Sequence, residues 1–170
     1  MAFTVEDGTG VAGANAYTAV ADVDAYWLDR ANSTWAAAET AAKQAAIITA
    51  TDYIELRFRK RFLGYREFEA QPLSFPRLNL YDNDGELIEG IPDRLKYAVA
   101  EYALRALSAA LLPDPTFDDR GLKVKSKREK VGPIEEETTY EGGIAIYRPY
   151  PSADLYLSEY LAPSGRVIRG

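Results

Sequence analysis

Four clusters in this sequence hold residue types that could do chemistry. Residues 8–13, GTGVAG, satisfy the G-x-G-x-x-G spacing that brings backbone amides up to a pyrophosphate. In a dinucleotide site those glycines follow a strand and open a helix. Here only a few residues precede them, Asn15 and Tyr17 follow, and no strand–helix alternation comes later, so a flexible arm is the expectation. Asp82-Asn83-Asp84-Gly85-Glu86 hints at a calcium loop. With Gly85 at the sixth position, Leu80 would stand first and Ile91 twelfth, and neither can ligate a cation. An Asx-stabilised turn accounts for those residues better. Asp118-Asp119 and Glu135-Glu136-Glu137 offer paired carboxylates of the kind used in acid–base hydrolysis. Both lie in polar segments where nothing would drive the two pKa values apart. Arg57, Arg59, Lys60 and Arg61 crowd the end of a predicted helix, where each cation stabilises the negative pole by about 0.3–1 kcal/mol; phosphate contact is their functional alternative.

The most informative segment is KVKSKREKVGPIEEETTY, residues 123–140. Lys123, Lys125, Lys127, Arg128 and Lys130 precede Gly132-Pro133, and Glu135, Glu136 and Glu137 follow it. Such a segment can pair with itself or with a neighbouring copy, which suits recognition between subunits better than catalysis. A tight turn at Gly132-Pro133 would set Lys130 against Glu135 and Arg128 against Glu137. Those eight charged residues are the candidate subunit interface.

Histidine and cysteine are both absent. That removes the commonest general base, the thiolate nucleophile and the two commonest zinc ligands. No catalytic residue, cofactor or metal is assigned, and no enzyme is expected. The formal charge of −6 argues against a general nucleic-acid binder. No apolar window approaches a membrane span and no signal-peptide pattern opens the chain, so a reducing cytoplasm is the expected site of folding. Twelve tyrosines outnumber six phenylalanines. Such residues serve either as half-buried core or as partner-facing surface.

Elements must position these residues. Residues 1–18 read as an extended arm. Val20, Val23 and Trp27 give one apolar stripe on a helix to about Arg30, with Asp22 and Asp24 near its positive end. A second helix is predicted from Ala41, capped by Thr40, to about Leu63, burying Ile47, Thr51, Ile54, Phe58 and Phe62. A third begins at Pro92 and runs to about Leu111, with Leu95, Val99, Tyr102, Ala103, Ala106, Leu107 and Ala110 inward. Between them lies a loop, 64–91, in which Pro72, Pro76 and Asn83-Asp84-Gly85 make Gln71 to Gly90 a structured stretch with room for a short hairpin. Strands are expected near 122–124 and 134–140, and a short helix within 151–161. The fold class is mainly α: a small helical bundle with a β-hairpin or two short strands and extended N- and C-terminal arms. The chain reads as a single domain over 1–170, with an arm at 1–18, a helical core at 19–112, a strand segment at 121–141 and a C-terminal arm at 142–170.

VEDGTG at 5–10, ANAY at 14–17, VADVDAYW at 20–27, Trp35, ATDYI at 50–54, LSFPR at 73–77, YDNDG at 81–85, IP at 91–92 and KREKVGPIEEETTY at 127–140 follow one another in order. This succession resembles tailed-bacteriophage head–tail connector proteins (adaptor or head-completion proteins), often labelled DnaT-like single-stranded-DNA-binding. The resemblance covers nearly the whole chain. It implies a mainly helical subunit in a ring of about twelve copies under a portal, extending the channel for double-stranded DNA and docking a tail-side neck or terminator protein. It implies a place in the virion neck after assembly in the host cytoplasm, with no catalytic residues. It also implies that the C-terminal segment reaches the portal, here through Tyr147, Tyr150, Leu155, Tyr156, Tyr160 and Leu161. Single-stranded-DNA binding in replication is the alternative, which would need aromatics interleaved with basic residues.

Overall fold

A computed structural model describes residues 2–112, 126–131, 134–139 and 148–162, with the backbone alone for the two middle stretches. The chain divides into two compact units, a helical body through Leu111 and again from Pro149, and a unit within 112–148.

In the body, α1 (Val20–Leu28), α2 (Ser33–Ala36), α3 (Thr40–Phe58), α4 (Asp93–Ala106) and α5 (Pro151–Leu157) surround a core rich in alanine and aromatics. A 3₁₀ turn, Ser158–Tyr160, continues α5. The mainly helical class expected from the sequence is the class observed. In α3 the predicted apolar positions Ile47, Thr51, Ile54 and Phe58 are all buried, and Phe62 is buried just beyond it. Helix α4 buries Leu95, Val99, Tyr102 and Ala103, while Ala98 and Ala100 let its neighbours approach closely. It ends sooner than predicted, and Ala110 is exposed. Pro92 is its N-cap rather than its first residue; the Pro92 carbonyl accepts from the Leu95 and Lys96 amides.

Asp24 draws the first three helices together. Its Oδ1 accepts from Trp35 Nε1 at 2.7 Å and from Lys43 Nζ at 2.9 Å. Asp22 holds the start of α1, accepting from Thr18 Oγ1 and the Ala19 amide. Helix α3 ends at Phe58, short of the predicted Leu63: the Leu63 amide donates to the Tyr160 carbonyl instead of back along a helix, and the carbonyls beyond Arg61 face a side chain from the loop. The Arg77 guanidinium donates to the carbonyls of Phe62, Leu63, Gly64 and Ser74. Beside it, β1 (Tyr65–Arg66) pairs antiparallel with β2 (Arg77–Leu78), so the ladder begins ahead of the Gln71–Gly90 stretch in which a hairpin was expected. Gln71 fastens that loop from within, accepting from the Phe68 amide and donating to the Leu73 and Pro76 carbonyls.

The N-terminal arm has irregular backbone, but it is packed and not free. Glu6, Ala14, Ala16, Tyr17 and Thr18 are buried, and Val5 bridges Ala16 in parallel. The Tyr17 hydroxyl donates to Glu55 of α3, whose carboxylate also accepts from the Ser74 amide and hydroxyl. Likewise the described C-terminal part is integral to the body. Ala153, Leu157 and Tyr160 are buried, and the chain after the 3₁₀ turn runs antiparallel to residues 61–63. Leu63 N donates to the Tyr160 carbonyl and Ala162 N to the Arg61 carbonyl, both at 2.8 Å. Tyr150 sits edge-on against Tyr53 and Tyr102, and its hydroxyl donates to the Leu111 carbonyl at 3.1 Å.

In the second unit, β3 (Ser126–Val131) pairs antiparallel with β4 (Ile134–Thr139). The strand near 122–124 lies outside the described residues, and the strand that pairs begins at Ser126.

Candidate functional site

The chemical motifs resolve into structure. In the GTGVAG loop, Glu6 Oε1 accepts from the Gly8 amide at 3.0 Å and the Gly10 amide at 2.9 Å. Amides that a pyrophosphate would require are thus held by the chain's own buried carboxylate. Gly10, at φ +74°, lies under Phe68, and a Cβ there would stand 2.6 Å from that ring. The glycine answers to packing and not to a cofactor. In the Asp82–Glu86 turn, Asp82 Oδ1 accepts from the amides of Asp84 and Glu86, which is the Asx geometry expected. Among the described residues no group of His, Cys, Asp or Glu is placed to hold a metal ion. Asp118 and Asp119 lie outside the described residues.

The basic cluster at the end of α3 divides in two. Arg57 points inward and makes a two-pronged pair with Asp154 of α5, at 2.9 and 3.0 Å, while also donating to the Tyr53 hydroxyl at 2.7 Å. Asp154 accepts in addition from the Tyr102 hydroxyl and the Tyr150 amide. Burial, then the hydrogen bond to Asp154 and its charge, push the Tyr102 phenol far above its ordinary range. Arg59, Lys60 and Arg61 remain exposed. Arg57 is therefore a clamp on α5, and the other three are surface cations.

For the charge-split segment, the observed register sets Lys130 opposite Glu135 and Arg128 opposite Glu137, the cross-strand partners read from the sequence. Lys127 stands opposite Thr138, and Glu136 opposite Glu129, a like-charged position. Lys123 and Lys125 lie outside the described residues.

The residues proposed for the portal fall in different environments. Tyr150 and Tyr160 are buried in the chain's own core, where their rings meet Tyr53, Tyr102 and Phe75. Leu155 is 66% exposed and faces outward from α5. Tyr156 and Leu161 are half-buried, and Tyr147 lies outside the described residues.

One feature was not legible in the sequence. Tyr26 of α1, Tyr97 of α4 and Tyr156 of α5 form a contiguous aromatic group, with centroids 5.2 Å and 5.7 Å apart along it. Burial, then hydrogen bonds to Tyr156 and Glu101, raise the Tyr26 phenol well above its usual range. The first two rings border a cleft of about 390 Å³ between α1 and α4, with Arg30 and Lys96 on its wall. Here are aromatics beside cations, supplied by segments distant in sequence. The cations are already engaged, however. The Arg30 guanidinium lies 3.5 Å over the Tyr26 ring, and Lys96 Nζ is 3.2 Å from Asp93. Asp22, Asp29 and Asp93 line the same cleft and would repel phosphate.

No helix among the described residues is long and apolar enough to cross a membrane. No curated protein and no solved structure matches the chain. A family profile described as "putative DnaT-like ssDNA binding protein" matches residues 1–170. By that match over its full length, the chain belongs to the DnaT-like single-stranded-DNA-binding family.

Proposed function

We propose that the chain is a non-catalytic head–tail connector (adaptor) subunit of a tailed phage, forming a ring under the portal and docking a tail-side neck protein. The observation that carries this reading is the β3–β4 register. It lines a basic strand against an acidic one and gives the chain two oppositely charged edges. Such a device suits head-to-tail contact between copies. The ordered motifs that resemble connector proteins lend the reading its particulars, namely the portal, about twelve copies and passage of double-stranded DNA. An acidic chain of charge −6 suits a channel that duplex DNA traverses without being held. Among the described residues of the proposed portal set, Leu155 is the most open to a partner.

The family description favours a second reading, single-stranded-DNA binding, more directly than it favours the first. Tyr97, 38% exposed beside Arg30 and Lys96, gives that reading one ring on which a base could stack. Two measurements on the full chain separate them. Co-purification with the portal ring, together with no retention of labelled oligonucleotides at near-physiological salt, supports the connector. Micromolar oligonucleotide affinity that collapses with added salt and falls in Tyr97→Ala, without portal capture, supports the second reading and overturns the first.

A further inference from the structure

The β3–β4 sheet contains two strands and no third among the described residues, so each strand has one outer edge without a strand partner. Those edges differ in charge. Strand β3 carries Lys127, Arg128 and Lys130 against a single acid, Glu129, whereas β4 carries Glu135, Glu136 and Glu137 and no cation. Its apolar residues, Val131 and Ile134, occupy a single cross-strand position at one end of the ladder. An isolated two-stranded hairpin is marginal in water even with an apolar face, and the Glu129–Glu136 position opposes like charges. Among the described residues this hairpin therefore keeps two edges open to a further strand.

We infer that its occupant is the same hairpin of a second copy, with β4 of one copy added edge to edge to β3 of the next. This rests on the multi-copy part of the connector reading and specifies how the copies join. Two symmetries are available, and charge selects between them. Two-fold pairing would set β4 against β4, glutamates facing glutamates, or β3 against β3, cations facing cations. Like charges directly opposite are destabilising. Copies that keep the same orientation place β3 of the neighbour antiparallel to β4, continuing the existing hairpin as a meander. By strand alternation, Lys130, Arg128, Glu135 and Glu137 share one face of the hairpin. On that face basic and acidic columns then alternate from copy to copy, each glutamate column flanked by cations on both sides. A same-orientation contact is heterologous, so it closes into a ring or runs on as a filament and does not stop at a dimer.

The test uses two full-length variants. One, Arg128→Glu with Lys130→Glu, has both edges acidic; the other, Glu135→Lys with Glu137→Lys, has both edges basic. Mass is measured by light scattering at low and at about 0.5 M salt, where exposed charge pairs are screened. Far-UV circular dichroism checks that the helical body is retained. The expected result is a salt-labile multi-copy species for the unaltered chain and subunit mass for each variant alone. An equimolar mixture should regain the multi-copy species, because an acidic hairpin then meets a basic one. Assembly of either variant alone at the level of the unaltered chain overturns the inference, as does a mixture that stays at subunit mass. Subunit mass for the unaltered chain at about 100 μM overturns it too. A ring that forms in this way but captures no portal would defeat the connector reading while leaving the hairpin pairing intact.

Discussion

Replacing Asp154 with alanine should detach the last helix from the body. Asp154 accepts from two nitrogens of Arg57, from the Tyr102 hydroxyl and from the Tyr150 amide. Removing one partner of a buried pair costs about 3–5 kcal/mol, chiefly because the survivor is left uncompensated. Here the Arg57 and Asp154 side chains keep 17% and 24% of their exposure, so water can partly resolvate the guanidinium. That discount brings the expected loss to about 2–3 kcal/mol. For a chain of this size each kcal/mol moves Tm by about 2–4 °C, so a fall of about 4–12 °C follows. Asp154→Asn keeps an acceptor without the charge and should fall between the two. Leu155→Ala, on the same helix and mostly exposed, is the control and should stay within about 0.5 kcal/mol of the unaltered chain. The assay is urea unfolding followed by far-UV circular dichroism. If Asp154→Ala and Leu155→Ala shift the midpoint equally, the clamp contributes nothing and α5 is held by Ala153 and Leu157 packing alone.

Further expectations come from the same body. Arg77→Lys removes the fork that serves four carbonyls and should cost about 2 kcal/mol in urea unfolding, because a single ammonium cannot reach them all. Gly10→Ala should cost about 2 kcal/mol, combining a positive φ with the Phe68 clash, whereas Gly13→Ala, at the same φ but with open space around it, should cost about 1 kcal/mol. Burial above all raises the phenol pKa of Tyr17 and Tyr102. The folded chain holds those protons past the pH at which the unfolded chain releases them. Stability should therefore be level with respect to these groups below about pH 9 and fall above about pH 10, by about 1.4 kcal/mol per pH unit for each. Urea midpoints measured across that interval, with Tyr102→Phe reducing the slope by one proton, check this.

The strongly periodic helices were legible because one face of each had to be apolar, and in α3 every position read as inward is inward. The cross-strand partners of the hairpin were legible for another reason: opposite charges on either side of Gly132-Pro133 in the sequence admit few registers. What escaped was polar and non-local. LSFPR looked like a loop because nothing local reveals that Arg77 would turn back to the carbonyls after α3, or that Gln71 would fasten the loop from inside. Residues 1–18 lack periodicity, so their burial through Tyr17 and Glu55 left no mark in the sequence. The Tyr26–Tyr97–Tyr156 group draws one residue from each of three helices, and no spacing rule connects them. Tyrosine abundance was the available hint. Among the described residues Tyr17, Tyr26, Tyr53, Tyr102, Tyr150 and Tyr160 are buried.

The hydrogen bond from Tyr150 to the Leu111 carbonyl has an architectural consequence. The chain leaves the body and returns to it at two points joined by a hydrogen bond, so the body is closed there independently of the residues between them. Closing such an excursion costs free energy that grows only logarithmically with its length. The intervening stretch can therefore lengthen, shorten or change its charge pattern while the tyrosine-rich body stays shut.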